Sequence, residues 1–587
     1  MKPLKIKPFI AVIIISLFIV VCTGISAQAA HIEPALQRLF GNTAPDEELS
    51  VIVTLSDKVD VNNFKEGDKG LLRSHIINAL KSKSEVTQGP VRAFLMSRNA
   101  KRALPLWIIN GLAVTAKADV IKELSDLPGV ESIRLDGSIE VPMVESALSS
   151  APEWNLNTIH APQLWNLGFK GQGIVIAGMD TGVDVNHHDL SGKWRGGNNS
   201  WYDPNNEYST PYDANGHGTQ TMGIMVGGSS GGTAIGVAPD AKWIAVKIFN
   251  DAGNASFSAI HQGFQWILDP DNNAATNDAP DVVNNSWGLR NNVNQCITEF
   301  QDDIRALKAA EIAVVFSAGN EGPNASTSVS PANYPESFAV GAVDENLAIA
   351  GFSSRGPSTC DGALYPEVVA PGVNIKTSDL TFGGVFPNSY AYVSGTSFSS
   401  PHVAGSIAVL TGAYPNKRVI DFELAIKEST MDLGVPGPDN VYGYGLMDAI
   451  EAYNTLHGSV QCTDTDGDGY FAEAGCGTTQ DCNDNSAAIH PGAQEIKHDG
   501  IDQDCNGYDL TIDILKALYT KKRDTLSVEA TSALGRNGNL ILVGYGSMAW
   551  NKKTSKWALT ISRVGGNPET VTVSGIEGSE SAQTIVK

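Results

Sequence analysis

The sequence is short of positive charge: 41 Lys and Arg face 64 Asp and Glu, for a net charge of −23. Without a basic surplus there is no face for broad, sequence-independent binding of nucleic acid. Charged residues are only 18 % of the chain against 42 % hydrophobic ones, which excludes wholesale disorder and describes a core-forming protein. Long apolar runs are scarce. After residues 9–21 no second one follows, so the chain offers no stretch of about 20 apolar residues to serve as a stable membrane anchor. Cysteine is sparse, with seven in 587 residues. Cys462, Cys476, Cys482 and Cys505 crowd one segment, Cys296 and Cys360 stand apart, and Cys22 adjoins the N-terminal apolar run.

What is present begins with an address. Lys2, Lys5 and Lys7 precede the apolar run, and Ala27-Gln28-Ala29-Ala30 follows it. A basic start, a short apolar core and small residues at a cut site make residues 1–30 a secretory signal peptide, removed near Ala29 or Ala30. The expected location is secreted: extracellular, or periplasmic or at the cell surface in transit. Val21 before Cys22 argues against a lipid anchor. An oxidising compartment and the even set left without Cys22 lead us to expect bridges Cys296–Cys360 and Cys482–Cys505, although sequence does not fix connectivity.

Residues 31–145 read as a small α+β segment. A strand is expected over 49–55, helices over 69–83 and 87–98, then a strand–helix–strand series over 107–114, 118–127 and 130–135. The polar stretch 145–153 reads as an exposed linker. From residue 154 buried apolar strands (174–177, 243–246, 281–284, 313–316) alternate with helical stretches, the pattern of a parallel sheet with helices on both faces. In such sheets the working groups sit past the carboxyl ends of strands.

Three polar motifs fall at those positions: Asp180-Thr181-Gly182, Asn215-Gly216-His217-Gly218-Thr219, and Ser394-Gly395-Thr396-Ser397. An alcohol is a weak nucleophile at its free pKa and needs an adjacent base, itself held by a third group. Each motif alone is commonly a turn or cap; the set in the order Asp, His, Ser is specific. With Gly236-Val237-Ala238-Pro239, Asn285-Ser286-Trp287-Gly288 and Ser317-Ala318-Gly319-Asn320 it resembles the subtilisin-type serine proteases over 154–453. The stretch Val329-Ser330-Pro331-Ala332-Asn333-Tyr334-Pro335-Glu336 resembles their bacillopeptidase F-like branch.

The resemblance implies a secreted serine endopeptidase acting on protein or peptide substrates, with no catalytic cofactor. Carried over, it makes Ser397 the nucleophile, His217 the base, Asp180 its orienting carboxylate and Asn320 an oxyanion donor. Ser286, Trp287, Gly288, Ala318 and Gly319 match the family's substrate cleft. Asn110-Gly111-Leu112-Ala113-Val114 resembles an inhibitor-type propeptide, which implies a zymogen cut by itself between Asp136 and Trp154. This chain departs from the family at Gln220-Thr221-Met222 after the histidine motif and at Phe398, where the family has Met. Asp189 matches a family calcium ligand, but 227–234 lacks the usual asparagine-rich segment.

Asp464, Asp466 and Asp468 alternate before Gly469 and Tyr470, a spacing that wraps hard oxygens round Ca²⁺. Gly475 stands where an EF-hand needs its twelfth ligand, so this is not one. A second cluster holds Asp481, Asp484, Glu495, Asp499, Asp502 and Asp504, and eleven acids over 461–509 face the single Lys497. The stretch resembles a metal-binding repeat of exported bacterial proteins, with structural Ca²⁺ as the expected cation. The expected organisation is α/β: signal peptide 1–30, inhibitory α+β propeptide 31–145, subtilisin-like catalytic domain 154–455, acidic Cys/Asp module 461–509 and a small all-β domain 510–587. The rival reading is a calcium-dependent surface-binding protein built on a protease scaffold.

Overall fold

A computed structural model describes residues 30–587, except 42, 45–46, 143–144, 147–152, 459–463 and 472–480. Residues 1–29 of the expected signal peptide, Cys462, Cys476 and most of the expected linker lie outside the described residues. The chain divides into two compact units at Ala449/Ile450, a few residues before the expected end of the catalytic domain.

The first unit is built on a seven-stranded, wholly parallel sheet. Its order is Val368–Pro371, Phe338–Val343, Ala313–Ser317, Val282–Asn285, Val175–Asp180, Lys242–Lys247, Trp201–Tyr202. The earliest of these strands, Val175–Asp180, lies inside the sheet, so later strands add on both sides of it. That makes a switch point, where the carboxyl ends of neighbouring strands open a crevice.

Side chains alternate along each strand, and both faces are covered. Ala177 and Met179 join the core beneath Phe257–Leu268 and Gln301–Ala309. Gly178 faces the other way, where a Cβ would meet Met222 Cε at 3.2 Å. That face carries His217–Val226 and Ser400–Ala413, of which the first is buried along all its residues and the second along most. A helix wrapped by protein on every side has no polar face to display, which is why neither is amphipathic in sequence.

The N-terminal segment forms a five-stranded sheet ordered His31–Ile32, Val130–Leu135, Glu48–Leu55, Gly111–Lys117, Arg102–Leu106. Val51 and Val53 pack under Val91, Leu95 and Ile121, while Ile52 and Ala113 point into the core shared with Phe264, Ile304 and Leu307. Burial on both faces explains the continuous apolar run 51–53.

Three expectations for this segment change. The helices expected over 69–83 and 87–98 are one helix, Lys69–Ser97, with Pro90 inside it. Proline removes the hydrogen bond to the carbonyl four residues earlier; that residue is Val86, which is 78 % exposed on the solvent side of the helix. Residues 107–114 are not one strand. Trp107–Ile109 is a 3₁₀ turn, Asn110 takes φ 48°, and the strand starts at Gly111, where a Cβ would strike the Val53 carbonyl at 2.7 Å. Finally, Glu145–Ser146, expected in an exposed linker, pairs antiparallel with Val393–Ser394.

The second unit holds the acidic loops and two antiparallel sheets, except for Ile585–Val586, which pairs parallel with the strand Asp513–Thr520. Its core takes Leu526, Val528, Leu542, Trp557, Val571 and Val573 from the alternating positions in sequence. The bridges Cys296–Cys360 and Cys482–Cys505 are both formed.

Candidate active site

Asp180 ends the strand Val175–Asp180, and His217 opens the helix His217–Val226. His217 Nδ1 lies 2.7 Å from Asp180 Oδ1, both residues being buried. The approach is close because glycines line it. A Cβ on Gly218 would stand 2.1 Å from the Gly182 carbonyl, and one on Gly182 1.9 Å from that of Tyr212. Asp213 anchors the turn before the histidine. Its Oδ1 accepts from the Asn215 and Gly216 N–H groups and its Oδ2 from the Thr219 N–H and hydroxyl, all at 2.7–2.9 Å. Burial pushes the Asp213 carboxyl up, against the pull of these donors. Sequence reasoning passed over Asp213, although Asp-Ala-Asn-Gly has the look of a side-chain-to-backbone turn.

Ser397 sits in the 3₁₀ turn Thr396–Phe398, ahead of the helix Ser400–Ala413. Phe398 sets its ring 5.6 Å from that of His217 and packs on Trp154, Ile224 and Val393. The Ser397 hydroxyl donates to the Ser286 carbonyl at 3.3 Å, while His217 Nε2 is buried with no hydrogen-bond partner. The structure thus forms the Asp180–His217 bond and no Ser397–His217 bond. Asn320 Oδ1 accepts from the Thr396 N–H and hydroxyl at 2.9 and 2.8 Å. With Oδ1 committed, the amide Nδ2 is left for the cleft that Asn320 lines with Ser397. Thr396 is a second positioning group that the sequence did not single out.

Of the five expected cleft residues, Trp287, Gly288 and Gly319 line the cavity. Ser286 and Ala318 are fully buried behind it; the Ser286 hydroxyl donates to the Ser397 carbonyl at 2.8 Å, and the Ala318 carbonyl accepts from Tyr365 Oη. Arg290 and Glu321 add charge to the wall unannounced by sequence, and burial raises the Glu321 carboxyl.

The chain's own N-terminal segment runs into this cleft. Ser138–Glu140 pairs antiparallel with Asn254–Ser256, and the Val141 N–H donates to the Gly253 carbonyl at 2.8 Å. Glu140 and Pro142 line the same cavity as Ser397, with Glu140 Oε2 3.0 Å from Arg290 Nη2.

Asp189 is held by protein donors: its Oδ1 accepts from the Ser230 N–H at 2.8 Å and its Oδ2 from the Tyr390 hydroxyl at 2.7 Å.

In the second unit, Asp464, Asp466 and Asp468 bring carboxylate oxygens within 4.8 Å of one another. Asp484 abuts that loop through the Thr465 N–H at 3.0 Å, and the Tyr470 N–H donates to Asp468 Oδ1 at 2.8 Å. Asp502 and Asp504 converge with Glu495, whereas Asp499 accepts from the Ile501 N–H and from Gln503 Nε2. Asp481 lies beside Cys482 and Cys505, whose sulfurs are bonded to each other and are not ligands. Buried oxygens of Asp466, Asp468 and Asp481 have no hydrogen-bond partner. Orphaned carboxylate oxygens in convergent acidic loops fit a hard cation.

Comparison with known proteins agrees with this geometry. The family model "Subtilase family" matches residues 171–445, and the model "Putative metal-binding motif" matches 481–509. Bacillopeptidase F of Bacillus subtilis (strain 168) is 36 % identical over 65 % of this chain, a match spanning only 29 % of that longer protein. Subtilisin Savinase of Lederbergia lenta is 33 % identical over 51 % of this chain and 97 % of its own length. Subtilisin E of Bacillus subtilis (strain 168) is 29 % identical over 66 % of this chain and 92 % of its own length. With its parallel sheet, its Asp180–His217 pair and a serine turn at the mouth of the same cleft, the chain belongs to the subtilase family.

Proposed function

We propose that the protein is a secreted serine endopeptidase made as a self-processing zymogen. In this reading Ser397 attacks the scissile carbonyl once its hydroxyl turns from the Ser286 carbonyl to His217 Nε2. His217 takes the proton and gives it to the leaving amine. Asp180 holds the imidazole in the tautomer with Nδ1 protonated and stabilises the imidazolium. Asn320 Nδ2 and the Ser397 N–H stabilise the oxyanion, a charge that exists only in the transition state and its intermediate. The observation that carries the reading is the bond from His217 Nδ1 to Asp180, which leaves a partnerless Nε2 beside the serine turn.

Residues 31–142 act as the propeptide and inhibitor. The segment pairs along Asn254–Ser256, Pro142 lines the cavity with Ser397, and Glu145 pairs with Ser394, which supports cleavage between Pro142 and Glu145. Self-cleavage falls there, a narrower window than 136–154. The other domain boundaries are those expected from sequence, the propeptide alone ending at 142 in place of 145, with export by residues 1–30. The 461–509 module binds structural Ca²⁺, since its donors are carboxylates and the two described cysteines are bridged, which disfavours a soft metal.

The test is fluorophosphonate labelling and casein hydrolysis by the secreted wild type and the Ser397→Ala variant. Both signals vanish in the variant, with a rate loss on the order of 10⁶, the magnitude known for loss of the nucleophile in subtilisin itself. The variant retains residues 31–142, and the wild type starts at Met143, Val144 or Glu145. A folded, propeptide-free wild type that neither labels nor hydrolyses sinks the proposal and favours a binding protein.

A further inference from the structure

The loop after the helix Phe257–Leu268 carries acids that neither the catalytic centre nor the second unit uses. Asp269, Asp271 and Asp278 each place one carboxylate oxygen within 4.8 Å of the others. Asp269 is 5 % exposed, and its Oδ1 is buried without a hydrogen-bond partner. A cation already sits against this group, and it comes from the N-terminal segment: Lys81 Nζ donates to Asp269 Oδ2 and, at 2.6 Å, to Asn272 Oδ1. The same helix, Lys69–Ser97, sends Lys69 to Asp281 at 2.8 Å and the buried Arg73 to Asn277 Oδ1 at 2.9 Å. Steps of four and eight residues put the three cations on one side of the helix, laid along residues 269–281.

Release of the segment removes all three positive charges. On the catalytic side Arg195 remains, but its Nη1 is spent on the Asp278 carbonyl at 2.6 Å. The donors that stay leave ligating capacity free. Asp271 accepts from Thr276 Oγ1 and the Asn273 N–H, and Asp278 Oδ2 from Asn199 Nδ2 at 2.9 Å, whereas a carboxylate has about four lone-pair sites. The donors are hard oxygens throughout, which selects Ca²⁺ over softer metals.

We propose that Asp269, Asp271 and Asp278 form a Ca²⁺ site of the matured enzyme, occupied in the precursor by the Lys81 ammonium. The inference rests on residues 31–142 being a released propeptide, and it adds a consequence. Ca²⁺ and the propeptide compete for one site, so each weakens the other by the same factor.

Equilibrium dialysis against radioactive Ca²⁺ tests this on full-length proteins, with mass spectrometry establishing which segments each sample carries. The Ser397→Ala precursor is compared with the same precursor bearing Lys81→Ala, which frees the site without any processing. The double variant binds one Ca²⁺ more per chain than its parent, and adding Asp271→Asn removes that ion. Processed wild type likewise binds one more than the precursor. Equal counts for the two precursors, or an extra ion that survives Asp271→Asn, overturn the site. If the wild type keeps residues 31–142, the propeptide reading fails, and the Lys81→Ala comparison still judges the site. Asp271 is only partly buried, so its replacement spares the core; if that variant does not fold, the Lys81→Ala count decides alone.

Discussion

At the residue scale, the working groups depend on neighbours that fix which atom faces the cleft. Asn320 can present either its oxygen or its nitrogen, and Thr396 decides by donating twice to the oxygen. Under the proposed mechanism, replacing Asn320 by Ala removes a donor that acts on the transition state alone. The expected outcome is a fall in kcat of about 10²–10³ with KM little changed, the range known for this position in subtilisin. Steady-state kinetics on a peptide substrate checks it. Equal losses through KM would show that Asn320 binds substrate and transition state alike. Phe398 has a packing role: it is 1 % exposed and carries no sulfur beside the nucleophile. His402, close by in sequence, is structural. Its Nδ1 donates to the Phe398 carbonyl at 2.8 Å, and burial depresses its pKa to about 4, so it stays neutral.

At the element scale, the helices Phe257–Leu268 and Gln301–Ala309 are joined by a buried charge cluster. His261 Nε2 lies 3.1 Å from Glu299 Oε1 and its Nδ1 2.9 Å from Asp303 Oδ2. Burial alone would lower the His261 pKa, but Asp303 and then Glu299 outweigh it and raise the pKa to about 9. A raised basic pKa contributes stability that is whole below the unfolded value of 6.5 and is lost as pH rises through about 9. Wild type should therefore lose melting temperature between pH 6.5 and 9.5. His261→Gln should be less stable by about 3–5 kcal/mol at neutral pH and flat in that window. Calorimetry in the Ser397→Ala background measures both; parallel pH profiles for the two proteins would refute the linkage.

The segment's grip is also an element property. Arg73 is 3 % exposed and donates to the carbonyls of Ala310, Ala279 and Pro280 at 2.8–3.2 Å. Burial lowers its pKa to about 10, which leaves it charged at neutral pH. Arg73→Ala leaves those carbonyls unpaired and removes a buried anchor. The processed but uncleared complex should weaken by about 2–4 kcal/mol, read as faster onset of activity after processing. Unchanged onset would place the grip elsewhere.

For the whole molecule, two units make separate demands on cations. Buried oxygens of Asp466, Asp468 and Asp481 have no hydrogen-bond partner, and under the proposed Ca²⁺ binding the second unit depends on its ions. In the Ser397→Ala precursor, where Lys81 fills the loop at Asp269, chelation should lower only the unfolding transition of the unit beginning at Ile450. Ca²⁺ at about 100 times its Kd should restore some 2.7 kcal/mol. A chelator-insensitive transition would make the acidic loops a solvated linker stapled by Cys482–Cys505.

The parallel α/β architecture was legible in the residues alone, because apolar runs such as 313–316 are buried on both faces and leave a clear pattern. The glycine-flanked polar motifs of the sequence drew attention to Asp180, His217 and Ser397, and the family resemblance added Asn320. Features that depend on distant partners emerged from the packing. Pro90 lies within a helix where Val86 faces water, and Ser286 stands behind the cleft because its hydroxyl turns to the Ser397 carbonyl. Glu495, not singled out as a ligand in the sequence, converges with Asp502 and Asp504. Asp269, unremarkable in sequence, meets Lys81 across 188 residues. Local pattern records the burial of one's own element; which side chain an element from elsewhere delivers is settled only when the sheets and helices pack.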